Sequence, residues 1–266
     1  MFSLKTSQGG LRKSLKLSLK AIFLGEETMP KFLPVNGEVF SFENHESFLI
    51  TPVKKSAGNP WIFYAPVLQG TPGPEEKWMF EKFLDAGIAI AGIDVGESYG
   101  NSEGQQLFSE FYNELVNNRG FSKKPVLLPR SRGGLMLYNW AAKNPELVSC
   151  IAGIYPVCDI SSYPGLKIAC ESYNMSEEEF SKIYKKYNPV DNLKLLAEAN
   201  IPIFHIHGDI DEPVPLEKNS GELSRRYKEL GGDMVMVVPK GQGHNYWDGF
   251  FQCKELVDFV IKYNIK

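Results

Sequence analysis

The sequence predicts an α/β protein with a doubly wound, mostly parallel sheet and a small helical cap. From about residue 37 onward, short apolar segments alternate with segments whose apolar residues recur at helical spacing. Several of the apolar segments are continuous, which is typical of strands that are buried on both faces. Helices must then cover both sides of the sheet. In such sheets functional residues lie beyond the carboxyl ends of the strands, so each strand end is a candidate site.

The predicted elements follow one another in a regular order. Segments 38–42 and 47–51 form an antiparallel hairpin, because the turn residues Asn44-His45 separate two strand-like stretches. Continuous apolar runs then predict buried strands at 61–65, 88–93, 126–128, 150–155, 201–206 and 234–238. Helical spacing of apolar residues predicts helices at 74–86, 105–117, 133–143, 191–199, 216–230 and 246–262.

The regular order breaks at 159–187, which is polar, contains Pro164-Gly165 and includes the acidic run 177–179. We interpret this segment as an insertion of one or two short helices that forms a cap near the active face. We therefore assign residues 37–266 to one α/β domain that includes this insertion, and residues 1–36 to an N-terminal extension.

Leucines at 11, 15 and 19 recur every four residues, which predicts an amphipathic helix within the extension. Lys16 and Lys20 interrupt the apolar stretch and leave it too short for the core of a signal peptide. We therefore expect a cytoplasmic protein, with a membrane-surface or cleaved targeting segment as the alternative.

Composition excludes several classes of function. The chain has 266 residues, a net charge of −3 and a pI near 5.9, so a basic field for nucleic acid is not expected. No stretch approaches the ~20 apolar residues of a membrane span. The cysteines lack zinc-ligand spacing, and Gly96, Gly100 and Gly104 are too widely spaced for a dinucleotide fingerprint. Neither a metal nor a cofactor is predicted.

Ser131 lies between the predicted strand 126–128 and the predicted helix 133–143. A serine on a sharp turn between a buried strand and a helix forms a nucleophile elbow. The helix N-terminus behind it directs N–H groups toward developing negative charge. The elbow pattern G-x-S-x-G is kept at Gly133, whereas Pro129 replaces the first glycine. A helix N-cap is the structural alternative for this serine.

Two further strand ends carry polar groups. The stretch His207-Gly-Asp-Ile-Asp-Glu-Pro-Val-Pro215 follows the strand 201–206, and Gly241-Gln-Gly-His244 follows the strand 234–238. Together with Ser131, these motifs appear in the order Ser, Asp, His. The sequence from about 37 to 264 resembles the α/β-hydrolase superfamily, which includes serine esterases, dienelactone hydrolases and prolyl-oligopeptidase-like catalytic domains.

The resemblance implies a Ser-His-Asp triad of Ser131, His244 and Asp211. His244 would take the serine proton, and Asp211 would fix the His244 tautomer. Asp209 competes for the acid role, but the register of H-G-x-x-D-x-x-V-P favours Asp211. His207 is expected to hydrogen-bond to the backbone, and His205 to be a satisfied core residue.

An oxyanion hole is expected from the backbone N–H of Arg132 and an N–H of Val67 or Leu68, in the loop after the strand 61–65.

Three further residues are candidates for substrate binding: Arg130, Tyr155 and Trp247. The guanidinium of Arg130 matches a substrate carboxylate, with a structural ion pair to the cap as its alternative. Core packing is the alternative for Trp247. We predict a serine hydrolase that cleaves a small-molecule carboxylic ester through an acyl-enzyme, possibly a sugar-linked or small acyl ester. The alternatives are a peptidase or amidase of small substrates, or a non-catalytic binding protein with a hydrolase fold.

Overall fold

The computed structural model describes residues 31–264, which form a single eight-stranded sheet with helices on both faces. The strands are β1 (Glu38–Phe42), β2 (His45–Ile50), β3 (Trp61–Ala65), β4 (Ala89–Ile93), β5 (Val126–Pro129), β6 (Cys150–Ile154), β7 (Ile203–Ile206) and β8 (Met234–Val237). Their spatial order is β1-β2-β4-β3-β5-β6-β7-β8. Strands β1 and β2 are antiparallel to their neighbours, and β3 to β8 run parallel. The predicted doubly wound, mostly parallel sheet is confirmed.

The helices cover the two faces of this sheet. They are α1 (Lys77–Asp85), α2 (Ser102–Asn113), α3 (Gly133–Lys143), α4 (Leu166–Ser172), α5 (Glu177–Ile183), α6 (Lys194–Glu198), α7 (Ser220–Glu229), α8 (Asp248–Phe251) and α9 (Lys254–Asn264). One apolar layer combines β3 residues with α2, α3 and α7, and the other combines them with α1 and α9.

Strand β3 shows why the buried strands read as continuous apolar runs. Trp61 and Phe63 point to the layer of α2 and α3, whereas Ile62 and Tyr64 point to the layer of α1 and α9. Successive side chains of a strand alternate between faces. Since both faces are covered, every position of the strand is buried and apolar.

Several boundaries differ from the prediction for local reasons. Helix α2 begins at Ser102 rather than residue 105, because the Asn101 side chain caps it by accepting a hydrogen bond from Gly104 N–H at 2.8 Å. The hairpin turn is one residue earlier than predicted, with positive φ at Glu43 and Asn44, so His45 already belongs to β2. The predicted closing helix is divided into α8 and α9 around Gln252.

The insertion contains the two short helices α4 and α5. Its apolar residues form a cluster of their own around Phe180, together with Leu135 from α3 and Val214 from the loop after β7. Hydrogen bonds from Asn101 to the Ser172 carbonyl and from the Tyr173 hydroxyl to the Tyr99 carbonyl fasten it to the loop after β4. This segment therefore packs beside the carboxyl ends of the strands.

The N-terminal helix predicted around Leu11, Leu15 and Leu19 lies outside the described residues. The end of the predicted extension, 31–36, forms bends and extended backbone rather than helix, and Pro34 lacks the N–H that a helix interior needs. The domain boundaries at 37 and 159–187 and the cytoplasmic location stay predictions. Within residues 31–264, no helix has both the length and the apolar character needed to span a bilayer.

Candidate active site

The nucleophile elbow is a strained turn between β5 and α3. Ser131 has φ of +50°, in the left-handed region that a residue with a side chain rarely adopts. Its backbone is fixed on both sides: Ser131 N–H donates to the Ile154 carbonyl at 3.0 Å, and its own carbonyl accepts from Val157 N–H at 2.8 Å. The turn holds the hydroxyl beyond the end of β5.

Two glycines let α3 approach the sheet behind Ser131. A Cβ atom at Gly133 would lie 2.1 Å from the Ala65 carbonyl oxygen, and one at Gly134 would lie 2.2 Å from the Val157 carbonyl oxygen. Both contacts are with backbone, which cannot move aside as a flexible side chain could. The helix N-terminus can therefore reach the turn only with glycine at both positions.

Pro129 fits the elbow because of its place in the sheet. It ends β5 opposite Ala65 of β3, while pairing with β6 stops after Leu127 and resumes only at the bridge between Arg130 and Ile154. Pro129 lies within this interruption. A residue at this position has no ladder hydrogen bond to make with β6, so a proline without an N–H loses none there.

The structure brings Ser131, His244 and Asp211 together in hydrogen-bonding order. Ser131 Oγ lies 2.8 Å from His244 Nε2, and His244 Nδ1 lies 2.7 Å from Asp211 Oδ2. The other oxygen of Asp211, Oδ1, accepts from Val214 N–H at 2.9 Å. Asp209 is placed differently: its Oδ1 accepts from Gly241 N–H at 2.6 Å and so holds the turn before His244.

Opposing effects set the pKa of Asp211. Burial raises it, but hydrogen bonds from His207 and His244 and from Val214 N–H outweigh burial and lower the pKa to about 2. Asp211 is therefore ionised at any pH near neutrality. A buried carboxylate held in this way can orient the imidazole and stabilise it when it is protonated.

The predicted oxyanion residues lie on both sides of Ser131. Arg132 N–H and Val67 N–H donate no hydrogen bond to any acceptor among residues 31–264, so both are free for a ligand. Leu68 N–H donates instead to Thr71 Oγ1 at 3.0 Å. Of the two predicted alternatives in this loop, Val67 is therefore the better candidate donor.

Arg130 points into a buried cluster of charges. Its guanidinium lies 2.7 Å from Glu75 and 2.5 Å from Glu76, and Glu76 also accepts hydrogen bonds from the Tyr64 hydroxyl at 2.7 Å and Gly73 N–H at 2.8 Å. We refer to Arg130, Glu75, Glu76 and Tyr64 as the arginine cluster. The predicted ion pair exists, but its partners precede α1 rather than lying in the cap. A substrate carboxylate would have to compete with both glutamates.

A cavity of about 530 Å³ opens in front of Ser131. It is lined by Pro66, Leu68, Gln69, Gly70, Thr71, Glu97, Arg130, Ser131, Arg132, Tyr155, His244, Asn245 and Tyr246. Tyr155 lies as predicted against the site, with its ring 4.4 Å from that of His244. Trp247 is placed outside the lining and packs edge-on against Phe250, whereas its neighbour Tyr246 faces the cavity. The segment 159–187 contributes no residue to the lining. It contacts lining residues through Tyr163 beside Arg132 and through Ser172, whose hydroxyl donates to the Glu97 carbonyl at 2.7 Å.

Residues 111–263, more than half of the chain, match the model of the prolyl oligopeptidase family. The chain belongs to the prolyl oligopeptidase family. This family lies within the α/β-hydrolase superfamily, so the resemblance seen in the sequence is confirmed. No curated protein matches the chain.

Solved structures of the same fold include both peptidases and other hydrolases. Acylaminoacyl peptidase from Pyrococcus horikoshii has a TM-score of 0.67 and 18% identity, over 87% of this chain and 42% of that chain. Est1E from Butyrivibrio proteoclasticus has a TM-score of 0.65 and 15% identity, over 87% and 100%. S-formylglutathione hydrolase from Agrobacterium tumefaciens has a TM-score of 0.66 and 12% identity, over 86% and 94%. This chain spans less than half the length of the peptidases it matches.

This family member also has site residues that sequence reasoning missed. Glu75 and Glu76 follow Pro74 at a helix start, where acidic residues are common for reasons of the helix dipole alone. Glu97, which pairs with the Arg132 side chain, comes from the loop after β4. Nothing in the sequence around these residues indicates which residue each one pairs with.

Within the part of the chain that the structure covers, no cluster of three His, Cys, Asp or Glu side chains could hold a metal ion.

Proposed function

We propose that this serine hydrolase cleaves a small carboxylic ester through an acyl-enzyme intermediate. The observation that carries the proposal is the contact of Ser131 Oγ with His244 Nε2 at 2.8 Å, continued from His244 Nδ1 to Asp211 at 2.7 Å. A serine hydroxyl needs such a base to become a nucleophile at neutral pH.

In the proposed reaction Ser131 Oγ attacks the ester carbonyl carbon while His244 Nε2 takes the hydroxyl proton. Asp211 stabilises the imidazolium that forms. The carbonyl oxygen becomes negative and accepts hydrogen bonds from Arg132 N–H and Val67 N–H, each worth roughly 3 kcal/mol in the transition state. His244 then protonates the alcohol oxygen as its bond to the acyl carbon breaks. In the second half, His244 takes a proton from water as the water oxygen attacks the acyl carbon, and it returns that proton to Ser131 Oγ as the acid leaves.

Two of the solved structures that share the fold, Est1E and S-formylglutathione hydrolase, are not named as peptidases, which supports an ester as the substrate. The alternative is a peptidase or amidase of small substrates, which is favoured by the match to the prolyl oligopeptidase family. A binding protein without turnover is the third possibility to test.

The test combines active-site labelling with two substrate series. We expect a fluorophosphonate to modify the wild-type protein at Ser131, located by peptide mass spectrometry, and Ser131→Ala to abolish both labelling and hydrolysis. Ser122→Ala, which changes a half-buried serine whose hydroxyl donates to the Lys124 carbonyl, is the matched control and should keep both. Short p-nitrophenyl esters should turn over faster than aminoacyl p-nitroanilides. Folded protein that takes no label at Ser131 would rule out the enzyme, and faster anilide cleavage would favour the peptidase.

A further inference from the structure

Behind Asp211, four buried side chains form a continuous series of hydrogen bonds, which we name the histidine chain. Its members are Tyr138 of α3, His205 of β7, Ser220 at the start of α7, and His207 directly after β7. The Tyr138 hydroxyl lies 2.7 Å from His205 Nε2, and Ser220 Oγ lies 2.9 Å from His205 Nδ1 and 2.8 Å from His207 Nδ1. None of the four is more than 1% exposed.

With an uncharged His207, the acceptor at one end fixes the direction of every hydrogen bond. His207 Nε2 lies 2.8 Å from the Val214 carbonyl, which can only accept, so Nε2 carries the proton. His207 Nδ1 then accepts from the Ser220 hydroxyl. Since that hydroxyl has one hydrogen, its oxygen accepts from His205 Nδ1–H, and His205 Nε2 accepts from the Tyr138 hydroxyl.

Each of the four groups then donates toward Asp211. Burial, with His207 adding to it, lowers the pKa of His205 to about 3, which keeps this ring uncharged at any pH near neutrality.

The histidine chain ends on both oxygens of the Asp211 carboxylate. His207 Nε2 lies 3.3 Å from Asp211 Oδ2, the oxygen that His244 Nδ1 contacts. The same nitrogen donates to the Val214 carbonyl, and Val214 N–H donates to Asp211 Oδ1 at 2.9 Å. One oxygen is therefore tied to His207 directly and the other through the backbone of Val214.

We infer that His207, with its tautomer fixed by Ser220, His205 and Tyr138, is a positioning residue that holds the Asp211 carboxylate in line with His244. Tyr138 lies on the helix that begins behind Ser131, so the series joins the helix of the nucleophile to the loop of the acid. This role rests on the proposed function, because it acts on the triad through Asp211. Apolar side chains of similar volume would fill the same space without the cost of burying polar groups.

Two substitutions of His207 separate positioning from packing. His207→Gln places an amide N–H near the position of Nε2 and can still donate toward Val214 and Asp211. His207→Asn places its amide near Nδ1, where it faces Ser220 and leaves Asp211 without this donor. We expect kcat for a p-nitrophenyl ester to fall about 10- to 100-fold in His207→Asn, the range for losing a hydrogen bond to a charged group, and less than about fivefold in His207→Gln. KM should change less than about twofold in both.

A spectroscopic readout tests the same point without turnover. The proton between His244 Nδ1 and Asp211 should give a far-downfield proton NMR signal that shifts or broadens in His207→Asn and returns in His207→Gln. His45→Gln is the matched control, because His45 is an exposed histidine bonded to the Asp94 carbonyl and outside the chain. It should leave both kcat and the signal unchanged.

Each outcome decides between the two proposals. A His207→Asn variant with wild-type kcat and an unmoved signal would overturn the positioning role while the labelling of Ser131 still stands. A wild-type protein that takes no label at Ser131 would instead overturn the proposed function, and the NMR comparison would still report on Asp211. If His207→Asn does not fold, Ser220→Ala decides. We expect it to lower kcat about 3- to 10-fold with the same shift of the signal, and an unchanged kcat and signal would overturn the role.

Discussion

The arginine cluster and the histidine chain are two buried polar groups on opposite sides of Ser131, and they hold the site by different means. The arginine cluster ties Arg130, next to Ser131, to Glu76 and through it to Gly73 of the loop after β3. It contains one cation and two carboxylates. The histidine chain contains no carboxylate and no guanidinium, and it depends on which atom carries each proton.

This difference determines how each group should respond to the loss of one member. In the arginine cluster, Arg130 is the cation that faces both Glu75 and Glu76, so removing it leaves two carboxylates near each other in a buried place. In the histidine chain, each member makes hydrogen bonds of ordinary strength, so removing one leaves one or two unsatisfied groups that are neither carboxylate nor guanidinium. Because of its charges, the arginine cluster should lose more unfolding free energy than the histidine chain when one member is removed.

The largest expected effect is on folding. We expect Arg130→Met to lower the free energy of unfolding by about 3–5 kcal/mol, because it leaves the buried Glu76 carboxylate and the half-buried Glu75 carboxylate without their cation. Ser220→Ala should lower it by only about 1–2 kcal/mol. Urea unfolding followed by circular dichroism measures both. Arg225→Met, which removes an exposed pair partner on α7, is the control and should leave the free energy of unfolding close to that of the wild type. Equal losses at Arg130 and Ser220 would remove the distinction between the two groups.

The next effect is a pair of opposite pH dependences. The pKa of Asp211 is lowered from 3.8 to about 2 in the folded protein, so its ionisation stabilises the fold above about pH 4 and this contribution is lost as pH falls toward 2. The contribution is about 2 kcal/mol. Burial raises the pKa of Glu76 above its usual 4.5, so its contribution is full below pH 4.5 and is lost as pH rises through the folded value.

Unfolding free energies of Asp211→Asn and Glu76→Gln between pH 3 and pH 8 measure this pair. The difference between wild type and Asp211→Asn should grow as pH rises from 3 to 5. The difference between wild type and Glu76→Gln should shrink as pH rises above 4.5. If both differences in unfolding free energy changed in the same direction with pH, the directions assigned to the two pKa shifts would be wrong.

The smallest effect compares two hydroxyl groups. The Tyr64 hydroxyl donates to the Glu76 carboxylate, and the Tyr138 hydroxyl donates to the neutral His205 ring. We expect Tyr64→Phe to cost about 1.5–3 kcal/mol of unfolding free energy and Tyr138→Phe about 1 kcal/mol. Tyr112→Phe, in which a hydroxyl donates to the Lys123 carbonyl, provides a reference for a neutral backbone acceptor. A Tyr138→Phe loss larger than that of Tyr64→Phe would reverse the ranking.

Local sequence was enough to predict the sheet and the positions of the polar strand ends. Continuous apolar runs identify strands buried on both faces, and parallel strands bring their carboxyl ends to one edge. The elbow, with Ser131 before Gly133 and Gly134, depends on residues adjacent in sequence, and so does the register that separated Asp211 from Asp209. The first residue of helix α2 was also predictable, since Asn101 is a favourable N-cap residue.

Contacts between distant segments could not be predicted in this way. Arg130 and Glu76 are 54 residues apart, and Tyr138 and His205 are 67 residues apart. A single sequence contains no signal that pairs them, because each residue alone fits an ordinary helix start or an apolar strand. Trp247 and Tyr246 show the same limit on a smaller scale. These adjacent side chains point in different directions. Which of the two rings faces the cavity depends on the packing of Trp247 against Phe250.

The backbone of residue 131 has one more consequence, for laboratory evolution. A side chain at φ of +50° costs of order 1 kcal/mol that glycine would not incur. A library of variants screened solely for solubility or heat resistance should therefore enrich glycine at this position. Adding a screen for turnover should restore serine. The two screens together would measure how much stability the protein loses by having serine rather than glycine at this position.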